Sequence, residues 1–227
     1  MADSTTTSDL SSLWVYAGIG VIAGLLAGLL GVGGGIVMVP LMVAIGVTQH
    51  RAHATSLLAI LVIAVAGVTR FAISNQVDWG IGFAVAIGAI VGSTFGSSVM
   101  GRMSPQALRA FFVVMLVAAG LRMLLGGEVA AGEQATGTVA WLIAVGIGLV
   151  SGFAAGVAGV GGGIVIVPAL VFLLGMNQHS AEGTSLMVII FTAIAATRVN
   201  LAEKRVDMRQ GLVMGAAGVI SSVLGAS

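Results

Sequence analysis

Gly31-Val32-Gly33-Gly34-Gly35-Ile36-Val37-Met38-Val39-Pro40 interrupts a long apolar stretch. Almost the same ten residues return 128 positions later as Gly159-Val160-Gly161-Gly162-Gly163-Ile164-Val165-Ile166-Val167-Pro168, differing only at Met38 and Ile166. A glycine cluster followed by proline is poor material for a continuous helix. Glycine carries backbone freedom that ordering must remove, and proline has no amide hydrogen to donate. In hydrocarbon, backbone released from a helix must find partners in other protein groups or in a water-lined cavity. A helix break repeated in two halves of a membrane protein is a pattern from which transporters build substrate sites.

The composition supports a membrane setting. The 227 residues are 58% hydrophobic and 7% charged, with a mean hydropathy of +1.14, whereas soluble domains carry about 25% charged residues. So few polar groups cannot cover a water-facing surface, so the chain reads as an integral membrane protein whose partner is the lipid bilayer. Runs such as Leu57 to Val68 lack the alternation of a transmembrane β-strand and suit helices of ~20 residues. The predicted fold is all-α, a polytopic transmembrane bundle. A formal net charge of +1 gives no support for nucleic-acid binding, and the absence of cysteine excludes disulfides, thiolate metal sites and thiol catalysis. Residues 1–12 are polar, with Asp3 and Asp9 and no basic n-region. They read as a cytoplasmic tail rather than a cleaved signal peptide.

Outward from the motif, the apolar segments are 13–30, 35–47, 54–73, 80–100 and 107–125, then 138–158, 163–176, 183–201 and 209–226. Segment 35–47 is too short to cross a ~30 Å core upright and is expected to be a half-helix folded back at the glycine turn. The duplication reaches well past the motif. Gly20, Gly24 and Gly28 match Gly148, Gly152 and Gly156 at an offset of 128; at 129, His50 matches His179, Thr55-Ser56-Leu57 matches Thr184-Ser185-Leu186, and Val77-Asp78 matches Val206-Asp207. The chain thus divides into a first transmembrane repeat (13–125), a linker (126–137) and a second repeat (138–227). Ser227 aligns with Ser98, so the second copy stops before any counterpart of 107–125. The expectation is a further span beyond Ser227, with an unpaired connector helix as the alternative.

Basic residues concentrate in cytoplasmic loops. With 101–106 inside, seven of the nine basic residues fall inside and only Arg70 and Arg122 outside. Equivalent loops 74–79 and 203–208 then end on opposite faces. The halves are therefore expected to be inverted repeats with glycine-broken, discontinuous or re-entrant helices, which brings the two breaks together near the midplane. The expected location is the inner (plasma) membrane, crossed several times.

The candidate site follows from these motifs. Amides at Gly33, Gly34, Gly35, Gly161, Gly162 and Gly163 have no side chain over them, and the helices that follow point their positive ends at the same place, which suits a small anion. No Gly-Lys-Ser/Thr follows, so neither copy is a P-loop, and Ile36 and Ile164 spoil a Gly-x-Gly-x-x-Gly pattern. Thr55, Ser56, Thr184 and Ser185 begin the span after each break, where hydroxyls can touch a polar substrate or cap freed amides. The Gly20/24/28, Gly148/152/156 and Gly92/96 series have the spacing of close helix packing seams. His50-x-x-His53 and His179-x-x-Glu182 could present two metal ligands on one helix face, although capping or an aqueous mouth is the commoner role of such residues. Arg70 and Arg198 end equivalent spans, and Trp14, Trp79 and Trp141 sit where interfacial anchors belong. No catalytic residue, metal site or cofactor is assigned.

Gly31-x-Gly33-Gly34-Gly35-x-x-x-x-Pro40 followed by His53-Ala54-Thr55-Ser56-Leu57, with a second copy from Gly159 to Pro168 and Glu182-Gly183-Thr184-Ser185-Leu186, resembles the TauE/SafE family of membrane permeases over about 13–226. The resemblance implies a secondary transporter with duplicated halves that moves sulfite, an organosulfonate or a related sulfur-containing anion by alternating access. Glu182-Gly183 in place of His53-Ala54 makes the half-sites unequal. The competing readings are an anion channel, with flux that does not saturate, and a permease for another small organic anion. An enzyme would need a nucleophile–base pair or ligand cluster in one pocket, and the predicted topology puts His179 on the face opposite His50 and His53.

Overall fold

The computed structural model describes residues 4–30, 34–125 and 137–225. They form α1 (Ser4–Leu30), α2 (Gly35–Ala44), α3 (Gln49–Ile73), α4 (Trp79–Met100), α5 (Pro105–Leu125), α6 (Gly137–Ala158), α7 (Gly163–Leu174), α8 (Gln178–Ala202) and α9 (Met208–Gly225), with no strand among the described residues. One helix falls in each expected apolar segment, although α2 and α7 end at Ala44 and Leu174, short of the expected 47 and 176. Several begin earlier, α1 at Ser4 within the expected tail and α3 and α8 at Gln49 and Gln178. The apolar limits mark where hydrocarbon ends, whereas the hydrogen-bond ladder can continue into the polar layer. Apart from Gly137, the linker 126–137 lies outside the described residues.

By length and composition, α3, α4, α6 and α8 can each cross a membrane. The 10-residue α2 is about 15 Å long at 1.5 Å per residue, half a bilayer core. Large apolar side chains face outward along these helices, among them Phe83, Ile87, Val91 and Phe95 on α4 and Leu142 and Val150 on α6, as lipid contact requires. Trp14, Trp79 and Trp141 are all exposed.

The helix ends carry the duplication in their backbone. After α3, Gln76 N–H donates to Phe71 O (2.9 Å) and Asn75 N–H to Ala72 O (3.1 Å); after α8, Arg205 donates to Asn200 (3.0 Å) and Lys204 to Leu201 (3.0 Å). Asn75 and Lys204 are the two non-glycine residues with positive φ among the described residues, at 54° and 55°. This is one left-handed C-terminal cap built twice. The next helices are capped alike, Asp78 Oδ1 accepting from Ile81 N–H (2.9 Å) and Asp207 Oδ1 from Gln210 N–H (3.1 Å).

The strongest packing runs between the halves: α4 lies along α6, and α1 along α9. A methyl group at Gly88, Gly92 or Gly96 would sit 2.1–2.3 Å from the carbonyl oxygens of Val145, Leu149 and Phe153, and one at Gly148, Gly152 or Gly156 2.0–2.4 Å from those of Val85, Ala89 and Ser93. Gly20 and Gly24 meet Met214 and Gly218 in the same way. The glycine series are packing seams, and backbones approach this closely only where Cβ is absent. Residue numbers rise together along both pairs, so each pair is parallel. The equivalent helices α3 and α8 also pack together, but Gly67 meets Leu186 while Gly183 meets Phe71, so they run antiparallel.

One end of the bundle gathers His50, whose Nε2 donates to Met103 O (3.1 Å), and Arg205, whose guanidinium lies against Gly101 and pairs with Glu203. The 101–106 and 203–208 loops therefore share that end with the start of α3. The 74–78 loop sits at the start of α8, with Gln76 O against Gly183.

Candidate functional site

The glycine motifs turn the chain sharply. Gly34 (φ 74°) precedes α2 and Gly162 (φ 89°) precedes α7, both left-handed and neither helix start capped by a side chain. Gly159 and Gly161 are also left-handed, at φ 67° and 80°; such angles cost an L-residue roughly 1–2 kcal/mol. The chain folds back on the helix it has just left: Gly34 lies against Ala23 O and Gly162 against Ser151 O. Pro40 and Pro168 do not take part in the turn. Each lies inside the following short helix, where the missing amide hydrogen costs one rung rather than the helix.

The two turns touch. A methyl group on Gly35 would lie 2.7 Å from Val160 Cα and 2.9 Å from Gly159 O, and one on Gly161 3.1 Å from Ile60 and 3.2 Å from Ile189. Ile60 and Ile189 fall near the middles of the 25-residue α3 and α8, so the turns meet at mid-height. The structure thus brings Gly34, Gly35, Gly161, Gly162 and Gly163 to one region, while Gly33 lies outside the described residues.

The hydroxyl candidates divide. Thr55 Oγ1 accepts from Asp207 N–H (3.0 Å), and Thr184 Oγ1 from Asp78 N–H (2.9 Å). Each fully buried threonine therefore holds the amide of an aspartate in the opposite half, Asp207 ahead of α9 or Asp78 ahead of α4. Ser56 stays with the site: its Oγ lies 2.8 Å from both Gly159 O and His53 O. Ser185 is fully buried and engaged in its own interactions.

Four side chains, of which the sequence assigned only Ser56 to the site, hold the second turn. Where α6 ends, its last carbonyls lose their helical partners, and in a bilayer water cannot replace them. His53 Nδ1 donates to Ala158 O, Ser56 Oγ to Gly159 O, Thr192 Oγ1 approaches Gly161 O at 3.1 Å, and Ser97 Oγ reaches toward Gly156 O at 3.5 Å. With its hydrogen on Nδ1, His53 accepts at Nε2 from Gln49 Nε2 (2.9 Å). The i, i+3 spacing of His53 and Ser56 placed them on one helix face, but nothing local tied that face to Ala158 and Gly159. His50 and His53 do not converge, and among the described residues no three His, Cys, Asp or Glu side chains are grouped to hold a metal. Arg70 donates to Ser74 Oγ (2.8 Å) at the end of α3, and Arg198 is exposed.

Comparison with known proteins places the chain in a family. The profile of the family described as Sulfite exporter TauE/SafE matches residues 3–123 and 142–227, covering both glycine turns. Probable membrane transporter proteins of two Xylella fastidiosa strains are similar: one is 34% identical over 79% of this chain and 70% of its own length, the other 31% over 93% and 85%. The probable membrane transporter protein YunE of Bacillus subtilis is 25% identical over 92% of this chain and 85% of its own. No solved structure gives a significant match. Matched across both of its halves, this chain belongs to the TauE/SafE family of membrane transporters.

Proposed function

We propose that this membrane transporter is a secondary carrier of a small anion (sulfite, an organosulfonate or a relative) in the inner membrane, which it crosses several times. Its halves act as inverted repeats, and the anion binds where the glycine-broken helices meet. The observation that carries this reading is the contact of Gly35 with Gly159 and Val160 at mid-height. It brings together the starts of two short helices whose first amides carry partial positive charge and are capped by no side chain. The antiparallel run of α3 and α8 supports the inversion. So does the placement of the 74–78 and 203–208 loops at opposite ends.

Ser56 lies two turns into α3 against this region, and Ser185 holds the matching position in α8. Alternating access then amounts to rocking the α1–α9 and α4–α6 pairs about the α3–α8 contact, exposing the midplane to each side in turn. The test is uptake into proteoliposomes of a panel of sulfite, sulfonates, carboxylates and metal cations. Saturable anion uptake with trans-stimulated exchange is expected. Anion flux rising without saturation makes the protein a channel, and uptake of a metal cation without response to any anion overturns the anion reading.

A further inference from the structure

The duplication exposes a difference between the inner faces of α3 and α8. Thr192, Thr197 and Asn200 are buried on α8. At the offset of 129 their counterparts on α3 are Ile63, Val68 and Phe71, equally buried. Positions that are apolar in the first copy are thus polar in the second. Among the described residues, the buried side-chain atoms without a hydrogen-bond partner are Thr197 Oγ1, Asn200 Oδ1 and Arg205 Nη1. All three belong to the end of α8 and the loop that follows it.

The orientation of Asn200 is set. Its Nδ2 donates to Ala196 O (2.9 Å), and a flipped amide would press two oxygens together, so Oδ1 is the atom left unpaired. Arg205 N–H donates to Asn200 O (3.0 Å). The Arg205 guanidinium, paired with Glu203, lies against Gly101. At the other end of the row Thr192 Oγ1 lies 3.1 Å from Gly161 O in the second glycine turn. The row therefore leads from the 203–208 end to the candidate site, with about 12 Å of helix between Asn200 and Thr192 at 1.5 Å per residue. From the 74–78 end nothing similar leads inward. Phe71 packs on Gly183, and Ile63, Val68 and Phe71 all belong to the apolar core.

Unpaired polar groups are costly in hydrocarbon, and inside a membrane they are tolerated where they line a water-filled cavity on the path of a substrate. Resting on the carrier reading above, we infer that Thr192, Thr197, Asn200 and Arg205 line a hydrated passage through which the anion moves between the 203–208 end and the second glycine turn. The groups suit an anion that keeps part of its water. Arg205 Nη1 and the Thr197 hydroxyl donate to it, whereas Asn200 Oδ1 repels its oxygens and accepts from its water instead. A cation is disfavoured by the guanidinium at the entrance. The apolar face of α3 offers no matching passage from the 74–78 end.

The chain has no cysteine, so single cysteines report on water directly. The thiolate is the reacting form, and each unit by which apolar burial raises a thiol pKa lowers the reactive fraction about tenfold. The experiment uses the full chain in proteoliposomes with reagent on both faces. Thr197→Cys is compared with Val68→Cys, and Asn200→Cys with Phe71→Cys, so that either pair decides if a variant of the other fails to fold. The reagent is the anionic sulfonatoethyl methanethiosulfonate, with labelling read by mass spectrometry. The α8 cysteines are expected to label at least about tenfold faster than their α3 counterparts, and methanesulfonate is expected to slow them. Equal rates within a pair overturn the passage. Rates that methanesulfonate leaves unchanged make it a path for water alone and overturn its use by the anion. Wild-type anion uptake without preferential labelling overturns the passage while leaving the carrier intact, and preferential labelling without uptake of any anion overturns the carrier and transport along the passage with it.

Discussion

Gly148→Ala and Gly146→Ala lie two residues apart on α6 and should have opposite consequences. A methyl group at Gly148 would sit 2.0 Å from the Val85 carbonyl oxygen and 2.8 Å from the Ala89 nitrogen, whereas one at Gly146 meets nothing within 4 Å. A carbon rests against a carbonyl oxygen at about 3.3 Å, so α4 and α6 would have to separate by about 1 Å. The obstacle is backbone, which cannot rotate away, and glycines on both helices keep the seam close along its length, which prevents local relief. Overpacking of this kind costs about 1–3 kcal/mol. Both variants share the gain of roughly 0.5–1 kcal/mol from replacing a mid-helix glycine, so their difference isolates the clash. For a chain of this size that difference corresponds to about 2–12 °C in Tm, with Gly146→Ala at or above wild type. Thermal unfolding of the purified variants in one detergent, followed by tryptophan fluorescence, measures it. If Gly148→Ala melts with or above Gly146→Ala, α4 and α6 do not pack along this seam, and the arrangement of the halves described above is wrong.

Thr55→Val and Thr184→Val should each lower stability by about 0.5–1.5 kcal/mol, the net worth of a lost hydrogen bond, here the part-buried one from the Asp207 or Asp78 amide. Thr55→Ser and Thr184→Ser should recover most of it in the same melting assay; loss of transport at unchanged stability in the valine variants would instead place these hydroxyls on the substrate. Gly162→Ala and Gly46→Ala both force a side chain into left-handed backbone, at φ 89° and 94°, and each should cost roughly 1–2 kcal/mol. Only Gly162→Ala should alter transport kinetics, because Gly162 starts α7 beside the meeting turns while Gly46 has open space around it. Equal transport in the two variants would remove the second turn from the site.

Much of the fold was legible because hydrocarbon leaves the backbone few options. Each apolar run had to become a helix, and Gly34 and Gly162 are left-handed ahead of α2 and α7. The seam glycines were readable from their spacing of four. The role of Thr55 and Thr184 was not, since a hydroxyl at the start of a span serves a substrate or an amide equally well. Which one depends on Asp207 and Asp78, residues 152 and 106 positions away. Pro40 and Pro168 looked like part of the break, yet the helix starts before them and tolerates each.

The sequence by itself determined that this is a helical membrane protein, that it is duplicated, where each copy turns and that Glu182 stands where the other copy has His53. These properties follow from local composition and from comparing the chain with itself. Only the tertiary structure decided that each half completes the other. It placed α1 along α9 and α4 along α6, set Gly35 against Val160, and turned His53, Ser56 and Thr192 onto the carbonyls of the second turn. The reason is physical. Apolar helix faces look alike to a sequence pattern, because lipid and a neighbouring helix both accept them. Partners are selected by close backbone approach and by the few polar groups that must be satisfied away from water, and both depend on residues far apart in the chain.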